Sequence, residues 1–139
     1  MKRLFIFTAF ILACFNASSQ VKTLTSDMFF SKIYDEKNEV FVNQHGIVID
    51  LYATWCRPCK VMEPVFNSVA WENSSYFDFY RIDIDEEKDL AYFFEVASIP
   101  MLIYIPAKKN NSGYYSSSGV ISKNELLDKI YRYIVKNSD

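Results

Sequence analysis

The chain has 139 residues, half of them hydrophobic and 17% aromatic, with a formal net charge of −2. That is one domain's worth of chain, with enough apolar material for a packed core that needs neither disulfide staples nor structural metal. Three glycines and four prolines argue against long disordered stretches, and an acidic balance without a strongly basic segment argues against nucleic acid as a partner.

Residues 1–19 read as a leader. Lys2-Arg3 is followed by an apolar run over residues 4–13 and by the small and polar Asn16-Ala17-Ser18-Ser19-Gln20. Basic, apolar, then small is the order of a secretory signal peptide, and the apolar run is short for a membrane span. Ala17 and Ser19 suit a cleavage that leaves Gln20 first. Ile11-Leu12-Ala13-Cys14 is a competing site that resembles a bacterial lipobox, whose cysteine is lipidated and becomes the new N-terminus. An uncleaved anchor is a third reading, and cleavage by either route predicts an exported protein, periplasmic or secreted, with a single domain over residues 20–139. Plain cleavage takes the net charge from −2 to −4, because Lys2 and Arg3 are the leader's only charged side chains.

Residues 21–24 are expected to form a short strand. Thr25-Ser26-Asp27 supplies capping residues for a helix through Met28, Phe29, Phe30 and Ile33. Residues 35–43 are charged and mixed and are expected to be a loop or an irregular extension, with a turn at His45-Gly46. Residues 47–53, Ile-Val-Ile-Asp-Leu-Tyr-Ala, suit a central strand buried on both faces. A helix follows from Arg57 to about Trp71, its apolar face carried by Val61, Met62, Val65, Phe66 and Val69, with Pro64 expected to kink it. Residues 77–84 alternate as a second core strand. Asp85-Glu86-Glu87 is an acidic helix start whose buried face is Leu90, Phe93 and Phe94, and the acidic run over residues 83–87 is expected to be a helix-start face and no more. Residues 101–105 form a third core strand, 108–113 a turn and 114–118 an edge strand. Ser122-Lys123-Asn124-Glu125 is a capping box that opens a last helix lined by Leu126, Leu127, Ile130, Tyr133 and Ile134. Early alternation of strand and helix implies parallel pairing, and the late short turn implies an antiparallel hairpin. The fold class is therefore α/β, with a mixed sheet of about five strands and helices on both faces.

After either cleavage the folded domain keeps two cysteines, Cys56 and Cys59. A pair this close closes too short a loop to brace a fold, so in an oxidising compartment it points to chemistry. Cys56 leaves a buried strand and begins a helix, where unpaired N–H groups and the helix dipole favour the thiolate. Arg57 adds positive charge, and Pro58 fits the first helical turn. Cys59 lies one turn on, within reach of Cys56 and deeper along the helix. A zinc site would need further cysteine or histidine ligands, and only His45 remains, in a turn, so no metal is expected.

These residues resemble the thioredoxin family. The stretch Val48-Ile49-Asp50-Leu51-Tyr52-Ala53-Thr54-Trp55-Cys56-Arg57-Pro58-Cys59-Lys60 is similar to the family's active-site segment. Pro64 matches its helix-kinking proline, Asp50 its buried acid, Ile99-Pro100 its cis-proline loop and Gly119 a late glycine. Arg81 stands where the family usually has lysine. The departures are Arg57 for glycine, Tyr52 where tryptophan is common, Met101 where threonine is common, and several extra residues between Ile33 and Ile47. The resemblance covers residues 21–139 and implies a thioredoxin fold and a thiol–disulfide oxidoreductase, most readily a reductase of client disulfides. An oxidase or isomerase, and a non-enzymatic binding module, are the other readings. In the roles so implied, Cys56 is the nucleophile, Cys59 the resolving thiol and Asp50 the proton acceptor. Trp55, Arg57 and Pro58 tune the centre, and Trp55, Ile99, Pro100 and Met101 bind the client. No organic cofactor is implied. The implied partners are disulfide-containing proteins and a membrane electron-transfer reductant, and the chain is expected to act as a monomer.

Overall fold

The computed structural model describes residues 20–107 and 113–138. The leader, with Cys14 and both cleavage sites, and most of the turn expected at 108–113 lie outside these residues.

Among the described residues, seven strands and four α-helices follow one another as β1 (Val21–Thr23), α1 (Ser26–Lys32), β2 (Tyr34–Asp35), β3 (Val40–Phe41), β4 (Gly46–Tyr52), α2 (Arg57–Asn73), β5 (Phe77–Asp83), α3 (Lys88–Phe93), β6 (Met101–Ile105), β7 (Tyr115–Ser118) and α4 (Lys123–Tyr133). A 3-10 turn, Val135–Asn137, ends the chain of elements. The central sheet has five strands in the order β1-β5-β4-β6-β7. β1 and β4 run parallel to β5, whereas β6 runs antiparallel to both β4 and β7. This is the expected mixed sheet.

The all-apolar run of β4 is explained by its place in the middle of the sheet, covered on both faces. Ile47, Ile49 and Leu51 point into one core, with Phe29, Leu90 and Phe94 from α1 and the α3 end. Val48 points into the other, with Met62, Phe66 and Val69 of α2 and Leu126 and Ile130 of α4. Asp50 shares the face of Val48, because side chains alternate along a strand.

Four expectations need correction. Residues 35–43 are not a plain loop: β2 and β3 pair antiparallel, Tyr34 with Phe41 and Asp35 with Val40. Two-residue strands are too short to show a period of two, and the turn is organised by Asp35, whose carboxylate accepts the N–H groups of Lys37 and Asn38. Gly46 is not a turn residue but the first residue of β4, buried where a Cβ would run into the Ile134 side chain. Val61 is exposed, so the apolar face of α2 is narrower than its spacing suggests. The acidic run before α3 is more than a helix-start face. Glu87 accepts the Ser26 N–H at 2.8 Å and its hydroxyl at 2.7 Å, tying α1 to α3. The capping box at Ser122 and Glu125 is present in both directions.

Candidate active site

β4 ends at Tyr52, and Ala53 turns the chain so that the Cys56 N–H meets the Ala53 carbonyl at 3.1 Å. Cys56 then becomes the N-cap of α2. Its Sγ accepts the Cys59 N–H at 3.2 Å, one of the donors that the first helical turn leaves unpaired. Pro58 sits in that first turn, where its missing N–H costs nothing. Pro64 lies on the exposed side of α2, and the helix runs through it to Asn73.

The two cysteines form a disulfide with their Cα atoms 5.3 Å apart. Cys56 is 3% exposed and Cys59 1%. Ala53 completes a small apolar cluster with them, and Tyr52, Ile84 and Ile99 pack against it. Ile99 thus comes to the sulfurs from a distant part of the chain. The Ile99–Pro100 peptide bond is cis. The Pro100 carbonyl accepts the Gly119 N–H at 2.9 Å, and Gly119 takes φ +92°, a conformation suited to glycine. Met101 begins β6 and is 8% exposed, so only its edge reaches the surface.

Trp55 is 69% exposed beside this cluster, held at its indole end by Nε1–H donating to Asp85 at 2.7 Å. Asp85 is one of the residues that sequence reasoning missed, because its charge reads as an ordinary helix start. Bonds from Trp55 and Lys88 hold its carboxyl below the usual range. Arg57, beside Cys56, is exposed.

Beneath the first turns of α2 lies Asp50, fully buried. It is the register partner of Arg81 on the neighbouring parallel strand, which is why the two side chains meet. Arg81 Nε donates to Asp50 Oδ2 at 3.0 Å, and its Nη1 donates to Glu63 at 2.6 Å. The guanidinium lies 4.0 Å from the centre of the Tyr52 ring. Arg81 is therefore clamped on three sides. Burial pushes the Asp50 carboxyl up to about 6, the Arg81 charge and hydrogen bond oppose that, and Glu63 adds a small upward push. Asp50 Oδ1 has no hydrogen-bond partner. A cleft of about 310 Å³ runs past Tyr52, Cys59, Glu63 and Arg81 and connects this network to Cys59. Glu63 was also missed. Its signal was available, since it stands four residues after Cys59 and hence on the same helix face.

The thioredoxin family model matches residues 20–132. This chain belongs to the thioredoxin family. It is 36% identical over 87 residues to the thioredoxin of Borreliella burgdorferi, covering 60% of this chain and 74% of the relative. It is 30% identical over 122 residues to Thioredoxin-1 of Caenorhabditis elegans, covering 86% and 93%. Among solved structures, chloroplastic thioredoxin z aligns with a TM-score of 0.65 at 19% identity, over 81% of this chain and 92% of the other. The thioredoxin of Malassezia sympodialis gives 0.64 at 23%, over 81% and 89%. At those identities the structures show the fold. The family and the Cys56–Cys59 pair together make the protein a thiol–disulfide oxidoreductase, a thioredoxin-type enzyme that acts on disulfide-containing substrates.

Proposed function

We propose that this thioredoxin is an exported reductant of protein disulfides. The observation that carries the reading is Asp50, a buried carboxylate on the α2 side of the sheet whose pKa of about 6 lies close to working pH. A dithiol reductant must strip the proton from its second thiol just as that thiol attacks. Oδ1 is available to take it.

Cys56 thiolate, favoured by the Cys59 N–H and the helix terminus, attacks one sulfur of the client disulfide. The client S–S bond breaks, the departing client sulfur takes up a proton, and a mixed disulfide forms. Cys59 then gives its proton to Asp50, directly or through water, and attacks Cys56 Sγ. The second client sulfur leaves as thiolate, and two electrons have passed to the client while Cys56–Cys59 becomes the disulfide. Ile99 offers its backbone to an extended client chain, with Pro100 holding that loop and Trp55 and Met101 shaping the groove. All electrons travel on sulfur, so no organic cofactor enters. Export by the leader, as a free periplasmic or secreted domain or one anchored at Cys14, places the protein among oxidised clients. It then needs a membrane electron-transfer partner to recharge it, and it acts as a monomer.

Arg57 favours a second reading. A cation at the first position of α2 stabilises the reduced centre and pushes toward an oxidase. The potential of the Cys56–Cys59 couple decides. A value near the thioredoxin range of about −270 mV supports the reductant, and one near about −120 mV overturns it. With dithiol as electron source, Cys56→Ser abolishes insulin reduction, and Cys59→Ser accumulates mixed disulfides that collapse on adding reductant.

A further inference from the structure

The segment that departs from the thioredoxin pattern builds a site of its own. β2 and β3, inserted after α1, stand beside α3 and enclose an open groove of about 960 Å³. Its floor is aromatic, made by Phe30, Tyr34 and Phe93. Phe93 lies 4.8 Å from Tyr34 and 5.8 Å from Phe30, ring centre to ring centre, so the floor is packed and preformed. Tyr92 stands over it, 87% exposed.

The rim carries four carboxylates, Glu36, Glu39, Asp89 and Glu95, and no lysine or arginine. None of the four is ion-paired among the described residues, whereas Glu63, Glu72, Asp85 and Asp128 each hold a cation. Burial first, then the negative charges of Glu39 and Glu36, hold the Tyr34 hydroxyl above its ordinary pKa, so both carboxylates act on the floor's tyrosine. Glu39 and Glu95 are the two non-glycine residues with positive φ among those described, at 54° and 51°. Asparagine or glycine would sit there more easily, yet a carboxylate occupies both positions, one on each side of the groove.

An aromatic floor under unpaired carboxylates is complementary to a side chain with an apolar stem and a cationic head. The stem covers the rings, the head meets their faces, and the carboxylates neutralise it. One end of the groove lies close in the chain to the loop that packs on the cysteines. Val96 lines it and is three residues from Ile99, a span of at most about 11 Å.

We propose that this groove docks a lysine- or arginine-bearing extended segment of the disulfide-containing client. It acts as a second contact that selects basic clients for Cys56. The assignment of the occupant rests on the reductant reading above, whereas the chemistry of the groove does not.

The test therefore has two arms. In the first, oxidised protein is titrated with a fluorescein-labelled, cysteine-free peptide of alternating arginine and leucine, and with a glutamate–leucine control, and anisotropy is followed. Arginine peptide binds, glutamate peptide does not, and binding weakens as salt rises. A Glu36→Gln, Glu39→Gln, Asp89→Asn, Glu95→Gln variant loses it. In the second arm, kcat/KM is measured on two disulfide peptides identical except for an arginine or glutamate flank, and on a small neutral aromatic disulfide. Wild type prefers the arginine flank by roughly tenfold at low salt. The variant loses that preference and keeps wild-type rates on the small disulfide, which also shows that it is folded. Equal binding of both peptides overturns the groove. Binding without preference in turnover overturns the client as occupant. Selective binding by a protein that reduces none of the three substrates counts against the reductant reading and leaves the groove's cation chemistry standing.

Discussion

Asp50 holds its proton more tightly in the folded chain than an ordinary aspartate does, and this has a cost that can be measured. Its carboxyl is pushed from 3.8 up to about 6. Below about pH 4 it is protonated folded and unfolded alike, and it adds no penalty. Between about 4 and 6 the unfolded chain ionises while the folded one does not, so stability falls as pH rises, and above 6 the loss is complete. The interval corresponds to about 3 kcal/mol at neutral pH, as an upper figure. Asp50→Asn removes the buried charge and leaves an amide oxygen for Arg81, which also keeps Glu63. The variant is expected to be more stable than wild type by roughly 1–3 kcal/mol at pH 7 and by nothing at pH 4, read by urea unfolding at both pH values. A gain of the same size at both would show that the charge is not its source. The same variant resolves mixed disulfides up to about 100-fold more slowly. If Asp50 takes the Cys59 proton, that step in wild type is expected to gain speed as pH rises through about 6, read by stopped-flow resolution of a mixed disulfide. Arg81→Met removes the cation that lowers Asp50 and moves the midpoint up. Glu63→Gln removes the anion that raises it and moves the midpoint down. Opposite movements in the two variants distinguish electrostatic control from a general loss of fit.

Packing between elements depends on a few close approaches that residue type alone does not announce. Gly46 is the example: β4 passes so near the end of α4 that any Cβ there meets Ile134 and presses on Phe77. Gly46→Ala is expected to destabilise by about 1–3 kcal/mol, as overpacking does. Ile134→Ala costs stability on its own, but the double variant should cost clearly less than the two single losses together, because the smaller residue vacates the space the new methyl needs. Strict additivity in denaturant unfolding would mean that the contact is relieved elsewhere. The sequence pattern places Gly46 in a turn, since glycine next to a polar residue ordinarily marks one, and only the approach of α4 gives the other reason. The longer elements are legible because each repeats a signal several times: seven residues of β4, the capping box of α4, the alternation of β5. The β2–β3 pair is too short for that. Cys56, Cys59 and Asp50 stand out because their chemistry is unusual where they sit, whereas Pro100 is legible only through the resemblance to the thioredoxin pattern. Glu63 and Asp85 do not, since a surface acid on a helix is ordinary until the partner across the fold is known.

Folding and redox chemistry are linked across the whole molecule, and the link separates the two directions of electron flow without a client. Oxidation of folded protein, unfolding of the disulfide form, reduction of the unfolded chain and refolding of the dithiol form close a cycle. Any difference in folding stability between the two forms is therefore the difference between the folded couple's potential and that of the unfolded chain. A thioredoxin-type couple is strongly reducing because the folded chain favours its disulfide, and a strong oxidant is one because the folded chain favours its dithiol. The distance between about −270 and −120 mV corresponds to about 7 kcal/mol for two electrons, a large part of a domain's whole stability. Little of this can come from chain entropy, since the Cys56–Cys59 loop spans a separation of three and is the same in either case. It comes instead from what surrounds the sulfurs. The Cys59 N–H and Arg57 favour Cys56 thiolate and so the dithiol. The buried charge of Asp50 and the apolar wall of Ala53, Ile84 and Ile99 disfavour a further anion and so favour the disulfide. Burial outweighs a single exposed cation, because bulk water screens Arg57 and screens the fully buried Asp50 far less. The oxidised protein is therefore expected to unfold at higher denaturant than the reduced one, in parallel urea titrations with and without excess dithiothreitol at pH 7. Asp50→Asn should narrow that gap by stabilising the reduced form more than the oxidised. A reduced form that outlasts the oxidised one would place the electrons' direction the other way, with Arg57 and the helix terminus in control.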